Sequence, residues 1–405
     1  MMSIFRNLPR QNLLKGRIHL ARPIDYLRCL SGSSTTYELF GKSNKDKLSI
    51  NKTTRIQLNA QYSTHTSTYA AKKEEFLSYY PDILEELKEK ISLYDSEAAE
   101  HYIRVLQYNV PGYEMFRGIS TIHAYKLVAP KAALTEKNIK LSIYLGWCFQ
   151  LYEGMFNIFD DIMDGSITRS GRTCWYKLPD IQMSGINDGL LIESAIFQIL
   201  KEHFSHLDCY TNLMEYFHEY FLISALGQYL DNKAMRENVL SLTMEKYKSI
   251  VAHKANYCYY MPITAAFHLA GYTNPEIFNH AKAILFELGY FTQVQNDFYD
   301  CFGDPNHLGK IGTDIQEGKS TWLIAKCLQR ATDVQKEVLE ECYGKNDPEC
   351  IRRVKQIYEQ LSIPDLYATF EKDTYNNIMM LIEKTSGIPA EVYLETVREL
   401  FTRGK

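Results

Sequence analysis

The sequence predicts an all-α protein, and three observations predict it. Apolar residues recur at intervals of three and four through a series of helix-length stretches, strand-like alternation is scarce, and prolines are few beyond residue 71. In chain order the stretches include Glu74–Tyr94, Leu141–Met163, Leu190–His206, Met214–Leu230, Val239–Tyr260, Pro275–Cys301, Thr321–Leu328 and Thr332–Tyr343. Neither an internal repeat nor a second shift in composition divides them, so residues 71–405 read as a single helical domain. With 405 residues, 45% of them hydrophobic and 23% charged, the chain is long and apolar enough for a deep core.

Charge sets the first 70 residues apart. The net charge is −4, yet residues 1–71 hold eleven Lys/Arg against three Asp/Glu, which leaves −12 on the remainder. No acidic residue precedes Asp25, whereas Arg6, Arg10, Lys15, Arg17 and Arg22 do, and turn formers gather at Ser31-Gly32-Ser33-Ser34. An Arg- and Ser/Thr-rich, acid-poor leader of this kind has the composition of an organellar transit peptide, or of a plain basic tail. The protein is accordingly expected in mitochondria or the cytoplasm. Nine cysteines without a CxxC pair argue against a disulfide framework or a zinc site. No run of about 18 apolar residues predicts a membrane span. An acidic folded part, behind a basic leader without interleaved aromatics, leaves little room for a nucleic-acid partner.

Two acidic clusters carry the chemistry. In Phe156-Asn157-Ile158-Phe159-Asp160-Asp161-Ile162-Met163-Asp164-Gly165, Asp160 and Asp164 lie one helical turn apart and share a face. Like charges so placed repel by a few tenths of a kcal/mol (roughly 0.2–0.5) in an isolated helix. A magnesium ion between them suits the pattern, as does a solvated helix end before Gly165. A second cluster, Asn296-Asp297-Phe298-Tyr299-Asp300-Cys301-Phe302-Gly303-Asp304, closes another long apolar stretch. Asn296, Asp300 and, should the helix run past Gly303, Asp304 recur every fourth residue. Two such helix ends suggest facing walls of one cleft that holds several magnesium ions around a diphosphate. Arg169, Lys254, Lys310 and Lys319 supply a basic complement for the same anion. Phe156 and Tyr152, one and two turns below Asp160, are placed to line a cavity; Tyr257, Tyr259, Tyr260, Phe291 and Phe298 are further candidates, or ordinary helical core.

Together these residues resemble the farnesyl diphosphate synthases. Asp160–Gly165 with Thr168-Arg169 and Gly171-Arg172-Thr173-Cys174-Trp175-Tyr176 is similar to their first aspartate-rich region, and Asp297–Asp304 with Gly309-Lys310-Ile311-Gly312-Thr313-Asp314-Ile315-Gln316 and Lys319 to their second. Leu145-Gly146-Trp147-Cys148 and Tyr108-Asn109-Val110-Pro111-Gly112 also match, so the resemblance spans about residues 75–405. It implies a class I isoprenoid synthase bundle with a central active-site cavity, a homodimer, and magnesium as cofactor. It further implies catalytic roles for Asp160, Asp161, Asp164, Arg169 and Lys254. Metal ligation falls to Asp160, Asp164, Asn296, Asp300 and Asp304, and contact with a prenyl diphosphate to Arg169, Lys254, Gln293, Lys310, Lys319 and Phe156.

The resemblance fails at a second, metal-free pocket in which these synthases hold isopentenyl diphosphate. The family's Lys is Glu114 here, its Gln is Glu153, and the second Arg of its Thr-Arg-Arg-Gly stretch is Ser170, which together shift the net charge there by −4. Lost charge-assisted contacts of about 1.5–3 kcal/mol each imply a roughly thousandfold weaker diphosphate site. Asn296 as the first residue of the second motif and this emptied pocket are similar to the insect terpene synthases derived from farnesyl diphosphate synthases. The expectation is therefore an enzyme that ionises one prenyl diphosphate, farnesyl diphosphate by the bulk at Met155-Phe156, and releases a sesquiterpene hydrocarbon or alcohol. The alternative is chain elongation, with the second substrate held by other residues.

Overall fold

The computed structural model of the protein describes residues 69–112, 115–304 and 312–402. All but the last two residues of the basic leader lie outside this range, as do Tyr113, Glu114 and Lys310. The described chain is a helical bundle, as the periodicity predicts.

Its centre is α4 (Glu136–Asp164), started by the Thr135 hydroxyl, which accepts the Asn138 amide, and stopped by Gly165 at φ 69°. Leu145, Gly146, Trp147 and Cys148 are buried in succession, so this helix is covered on every side. Around it pack α1 (Tyr80–Ser92), α2 (Ser96–Asn109), α3 (Phe116–Val128), α5 (Gly185–Phe204) and α6 (Tyr210–Ala234). Two strands, β1 (Thr168–Arg169) and β2 (Arg172–Thr173), form a hairpin just beyond α4. Their register pairs Thr168 with Thr173 and Arg169 with Arg172. Ser170 and Gly171 make the two-residue turn at φ 51° and 73°, the left-handed conformation that a tight hairpin needs.

The stretch Val239–Tyr260, expected as one helix, is broken twice. Thr243 sits in extended backbone and caps α7 (Met244–Lys254) by accepting the Lys246 amide. A 3-10 turn at Ala255–Tyr257 then leads to α8 (Tyr260–Leu269). Gly289 of α9 (Pro275–Phe302) presses on that turn, where a Cβ would stand 2.9 Å from the Ala255 carbonyl oxygen. Both breaks carry buried apolar residues, Leu242 and Tyr259, so the periodicity reads through them. The long α9 spans two cores: Ile284, Leu288 and Phe291 belong to the one around α4. Val294 belongs to a second, with α11 (Trp322–Leu328), α12 (Asp333–Cys342) and α13 (Pro348–Gln360). A single turn, α10 (Asp314–Glu317), precedes α11, and α14 (Ile363–Glu383) and α15 (Glu391–Thr402) close the chain.

Two contacts fix how α3 lies on its neighbours. Gly146 of α4 meets Gly118 of α3 backbone to backbone; a Cβ at Gly146 would stand 2.8 Å from the Gly118 oxygen. Glu395 of α15 pairs with His123 of α3 and with Lys72. Burial alone would raise the Glu395 carboxyl, but these two partners pull it down to about 2.

Gly146→Ala therefore forces the two helices apart and is expected to cost about 1–3 kcal/mol, read as a lower urea midpoint. A depressed carboxylate stabilises the fold above its unfolded pKa, so the Glu395 contribution is lost as pH falls from about 4.5 through about 2. Glu395→Gln should lower stability at pH 7 by a figure on the order of 3 kcal/mol and flatten the acid limb of a stability–pH curve. An unchanged acid limb would show that the pair does not hold α15.

Candidate active site

The first wall of the site is the end of α4. Asp160 and Asp164 share a face, and their repulsion is met by cations from three other segments. Lys319 Nζ lies 2.6 Å from Asp164 Oδ2. Lys254 Nζ lies 3.9 Å from Asp160 Oδ1 and 2.6 Å from Asp231 Oδ2. Arg169 donates to Asp160 Oδ2 at 3.1 Å and to Asp161 Oδ1 at 3.0 and 2.6 Å. Burial would raise the Asp160 carboxyl, but Lys254, Lys319 and Arg169 hold it down at about 2. Burial and the Asp160 charge together push Asp164 up to about 6, against the pull of Lys319. Asp161 is buried, away from the face its two neighbours share, and serves as the seat of Arg169.

The sequence reading missed Asp231. It is buried on α6, accepts a hydrogen bond from Lys254, and stands one turn beyond Gly227. A Cβ at Gly227 would come within 2.9 Å of Lys254 Cγ, so this glycine lets α7 approach closely enough for the pair. A glycine and an acid one turn apart inside an apolar helix were the available signal.

The second wall is the end of α9, which carries Asn296 and Asp300. Here the helix stops at Phe302 with Gly303 extended, so Asp304 does not continue the row at helical spacing. Asp297 faces the core instead: it accepts the Trp322 amide and a Gln293 donor, both at 2.9 Å, and burial pushes its carboxyl up to about 7. Gln293, expected on the diphosphate, is thus engaged one turn below the acidic row. The Asp300 carboxylate accepts the Asp314 amide at 3.0 Å, and the chain returns so close that a Cβ on Gly312 would stand 1.8 Å from the Asp300 carbonyl oxygen. Lys319 follows Gly318, at φ 71°, and reaches back across to Asp164.

Among the described residues the five expected metal ligands are not gathered into one finished cluster. Asp160 and Asp164 end one helix, Asn296 and Asp300 another, and the lysines occupy the first pair. The residues nonetheless fit a hard divalent cation: Asp164 Oδ1 is buried without a hydrogen-bond partner, beside a second carboxylate.

Below this polar end lie aromatics. Phe156 is half-buried, its ring centroid 4.9 Å from Tyr152 and 6.5 Å from Tyr257. Tyr152 is buried, its hydroxyl bonded to the Tyr220 carbonyl and the Ser224 hydroxyl. Phe291 stacks on Phe401 and Phe298 on Tyr367, so these two are packing residues of the cores.

On the other side of Asp161 opens a shallow cleft that includes Glu153, Asn157, Arg169, Ser170 and Arg172 in its lining. The loss of positive charge expected here takes another form. Glu153 does not present its charge to the cleft uncompensated; its Oε1 lies 2.6 Å from Arg117 Nη1. Arg117 also lies over the Tyr257 ring at 4.7 Å, and burial, which would lower its pKa, is outweighed by Glu153.

Residues 99–361 match the protein-family model described as polyprenyl synthetase. The chain is 40% identical over 333 residues to the farnesyl pyrophosphate synthase of Murgantia histrionica, covering 82% of each. It is 39% identical to that of Nezara viridula, again over 82% of each, and 36% identical to that of Gallus gallus, over 82% of this chain and 93% of the relative. A T. brucei farnesyl diphosphate synthase complexed with minodronate superposes with a TM-score of 0.77 at 26% identity, covering 82% of this chain and all of that one. These relatives overturn the expectation of a sesquiterpene-forming terpene synthase acting on one substrate. That expectation counted charges at three positions in isolation; the Arg117–Glu153 pair and the cleft with Arg172 are what such a count leaves out.

Asp231→Ala is expected to strand a buried ammonium and to lower stability by about 3 kcal/mol, measured as the urea midpoint at pH 7. An unchanged midpoint would mean that Asp160 alone suffices to hold Lys254.

Proposed function

The chain belongs to the polyprenyl synthetase family, and on that premise we propose that it is a chain-elongating prenyltransferase that condenses an allylic diphosphate with isopentenyl diphosphate to yield farnesyl diphosphate. The observation that carries this reading is the presence of two adjoining charged regions, the aspartate–lysine end of the bundle and the cleft beyond Asp161 lined by Arg169 and Arg172, which we read as sites for two diphosphates. The insect relatives, 39–40% identical, are named for the same product.

Magnesium is the cofactor this site suits. Asp160 and Asp164 on one helix and Asn296 and Asp300 on the other, with Asp304 beyond the helix end, are the residues that would hold it. Bound there, it would supply positive charge to the leaving diphosphate. The chain's own cations act in the same direction. Arg169, Lys254 and Lys319 rest on carboxylates of this site. As the allylic carbon–oxygen bond breaks, its electron pair passes to the diphosphate, and fixed cations stabilise the growing charge most strongly at that moment. The double bond of isopentenyl diphosphate then forms the new carbon–carbon bond, and one proton leaves to the released diphosphate. Exclusion of water is the remaining task, and the packed rings of Phe156, Tyr152 and Tyr257 provide an apolar floor for it. Phe156, one turn below Asp160, is placed to limit the length of the growing chain.

Like its family, the enzyme works on small-molecule prenyl diphosphates, and we take it to act as a homodimer. None of the described helices is long and apolar enough to cross a membrane.

With magnesium, geranyl diphosphate and isopentenyl diphosphate together are expected to give farnesyl diphosphate, and neither alone to give product. Volatile hydrocarbon or alcohol from a single prenyl diphosphate, with no elongation in the paired incubation, would refute the reading. Asp160→Asn combined with Asp164→Asn should reduce turnover by about three orders of magnitude or more, the scale of losing charge stabilisation in the transition state.

A further inference from the structure

Resting on the two-substrate reading, we propose that Arg172 binds the diphosphate of the second, non-ionised substrate, doing from the second strand of the hairpin what position 170, a serine, cannot.

Three guanidinium groups lie in or beside the cleft, and their partners differ in kind. Arg117 is paired with the Glu153 carboxylate at 2.6 Å. Arg169 is held by the carboxylates of Asp160 and Asp161. Arg172 lines the same cleft, yet its partners are neutral: Nη2 donates to the Tyr108 carbonyl at 2.9 Å, and the guanidinium carbon lies 4.8 Å from the centre of the Tyr108 ring. A carbonyl and a ring orient a guanidinium without cancelling its charge. Both acids in the lining, Glu153 and Asp161, already have an arginine each. An incoming anion therefore meets an oriented, uncompensated cation at Arg172 and no uncompensated carboxylate among the described lining residues.

The backbone holds that cation in place. Cross-strand pairing sets Arg172 opposite Arg169, so the two guanidinium groups spring from adjacent points on the wall of one cleft. The Tyr108 hydroxyl donates to the Thr173 carbonyl at 2.8 Å, and Trp175 Nε1 donates to buried Asp188 at 2.8 Å, which tie the second strand to α2 and α5. Beside Arg172, Ser170, Thr173, Asn109 and Asn157 offer neutral hydroxyl and amide groups. The combination suits a polyoxyanion bound without metal: one charge-assisted fork on a rigid strand, with uncharged donors around it.

The test uses the full-length protein and isopentenyl diphosphate as the probe, titrated calorimetrically in buffer with EDTA so that no metal contributes. The wild type should bind; Arg172→Gln should weaken binding tenfold or more, Arg172→Lys by threefold or more, and Ser170→Arg added to Arg172→Gln should restore most of it. In the magnesium-dependent assay, Arg172→Gln should raise the KM for isopentenyl diphosphate at least tenfold and that for geranyl diphosphate less than twofold. Unchanged affinity in Arg172→Gln, absence of metal-free binding to the wild type, or an equal rise in both KM values would overturn the proposal. If Arg172→Gln does not fold, Arg172→Lys, which keeps the cation but not the fork, decides alone: unchanged affinity overturns, loss supports. A wild type that binds the probe but forms no elongated product would sink the function proposed above, while the metal-free titrations still settle the role of Arg172.

Discussion

A charge buried without a counter-charge is the most expensive arrangement this fold has to avoid, and the pairing of Lys254 with Asp231 and Asp160 is where it does so. Desolvation of one ionised side chain costs several kcal/mol (about 3–5 when a buried pair is broken), comparable to a large part of a domain's net stability. Lys254 lies between α6 and α4, and its ammonium is shared between a carboxylate from each. Lys319 and Arg169 repeat the solution along the same helix end. Each of the three cations at this helix end thus stands on one or more of the protein's own carboxylates. Those pairs keep the cations oriented where an incoming diphosphate can engage them.

The same principle shapes the neighbouring cleft. Substitutions that introduce acid at position 153 do not simply repel anions when a buried arginine stands within ion-pair distance. The Arg117–Glu153 pair closes one source of positive charge inward, and the hairpin after α4 presents another from a different direction. Close packing makes this possible. Gly118 and Gly146 allow α3 to lie against α4 at backbone contact, and that approach carries Arg117 to Glu153.

Much of this was legible in the residues. The 3.6-residue period marked the helices, because most of them bury one face and α4 buries all of its faces. The four-residue spacing of Asp160 and Asp164, and of Asn296 and Asp300, placed two acidic rows correctly because both lie inside uninterrupted helices. Three things were not legible. Periodicity could not expose the breaks at Leu242 and Ala255–Tyr257, since buried apolar residues continue through them. Spacing could not say that Asp161 and Asp297 turn to other partners, because a helix offers its residues different neighbours at each 100° step. And a tally of charge at positions 114, 153 and 170 could not include Arg172 or the pairing of Glu153, which arise from a two-residue turn and a helix crossing.

Asp297 bears on how acidic motifs are read by mutation. Its carboxylate, with a pKa near 7, lies behind the row it belongs to in sequence and fastens the end of α9 to the first amide of α11. It works as a rivet between two load-carrying beams. Loss of that rivet would loosen the junction of α9 and α11, so an alanine scan judged on turnover alone would enrol a piece of carpentry among the chemists.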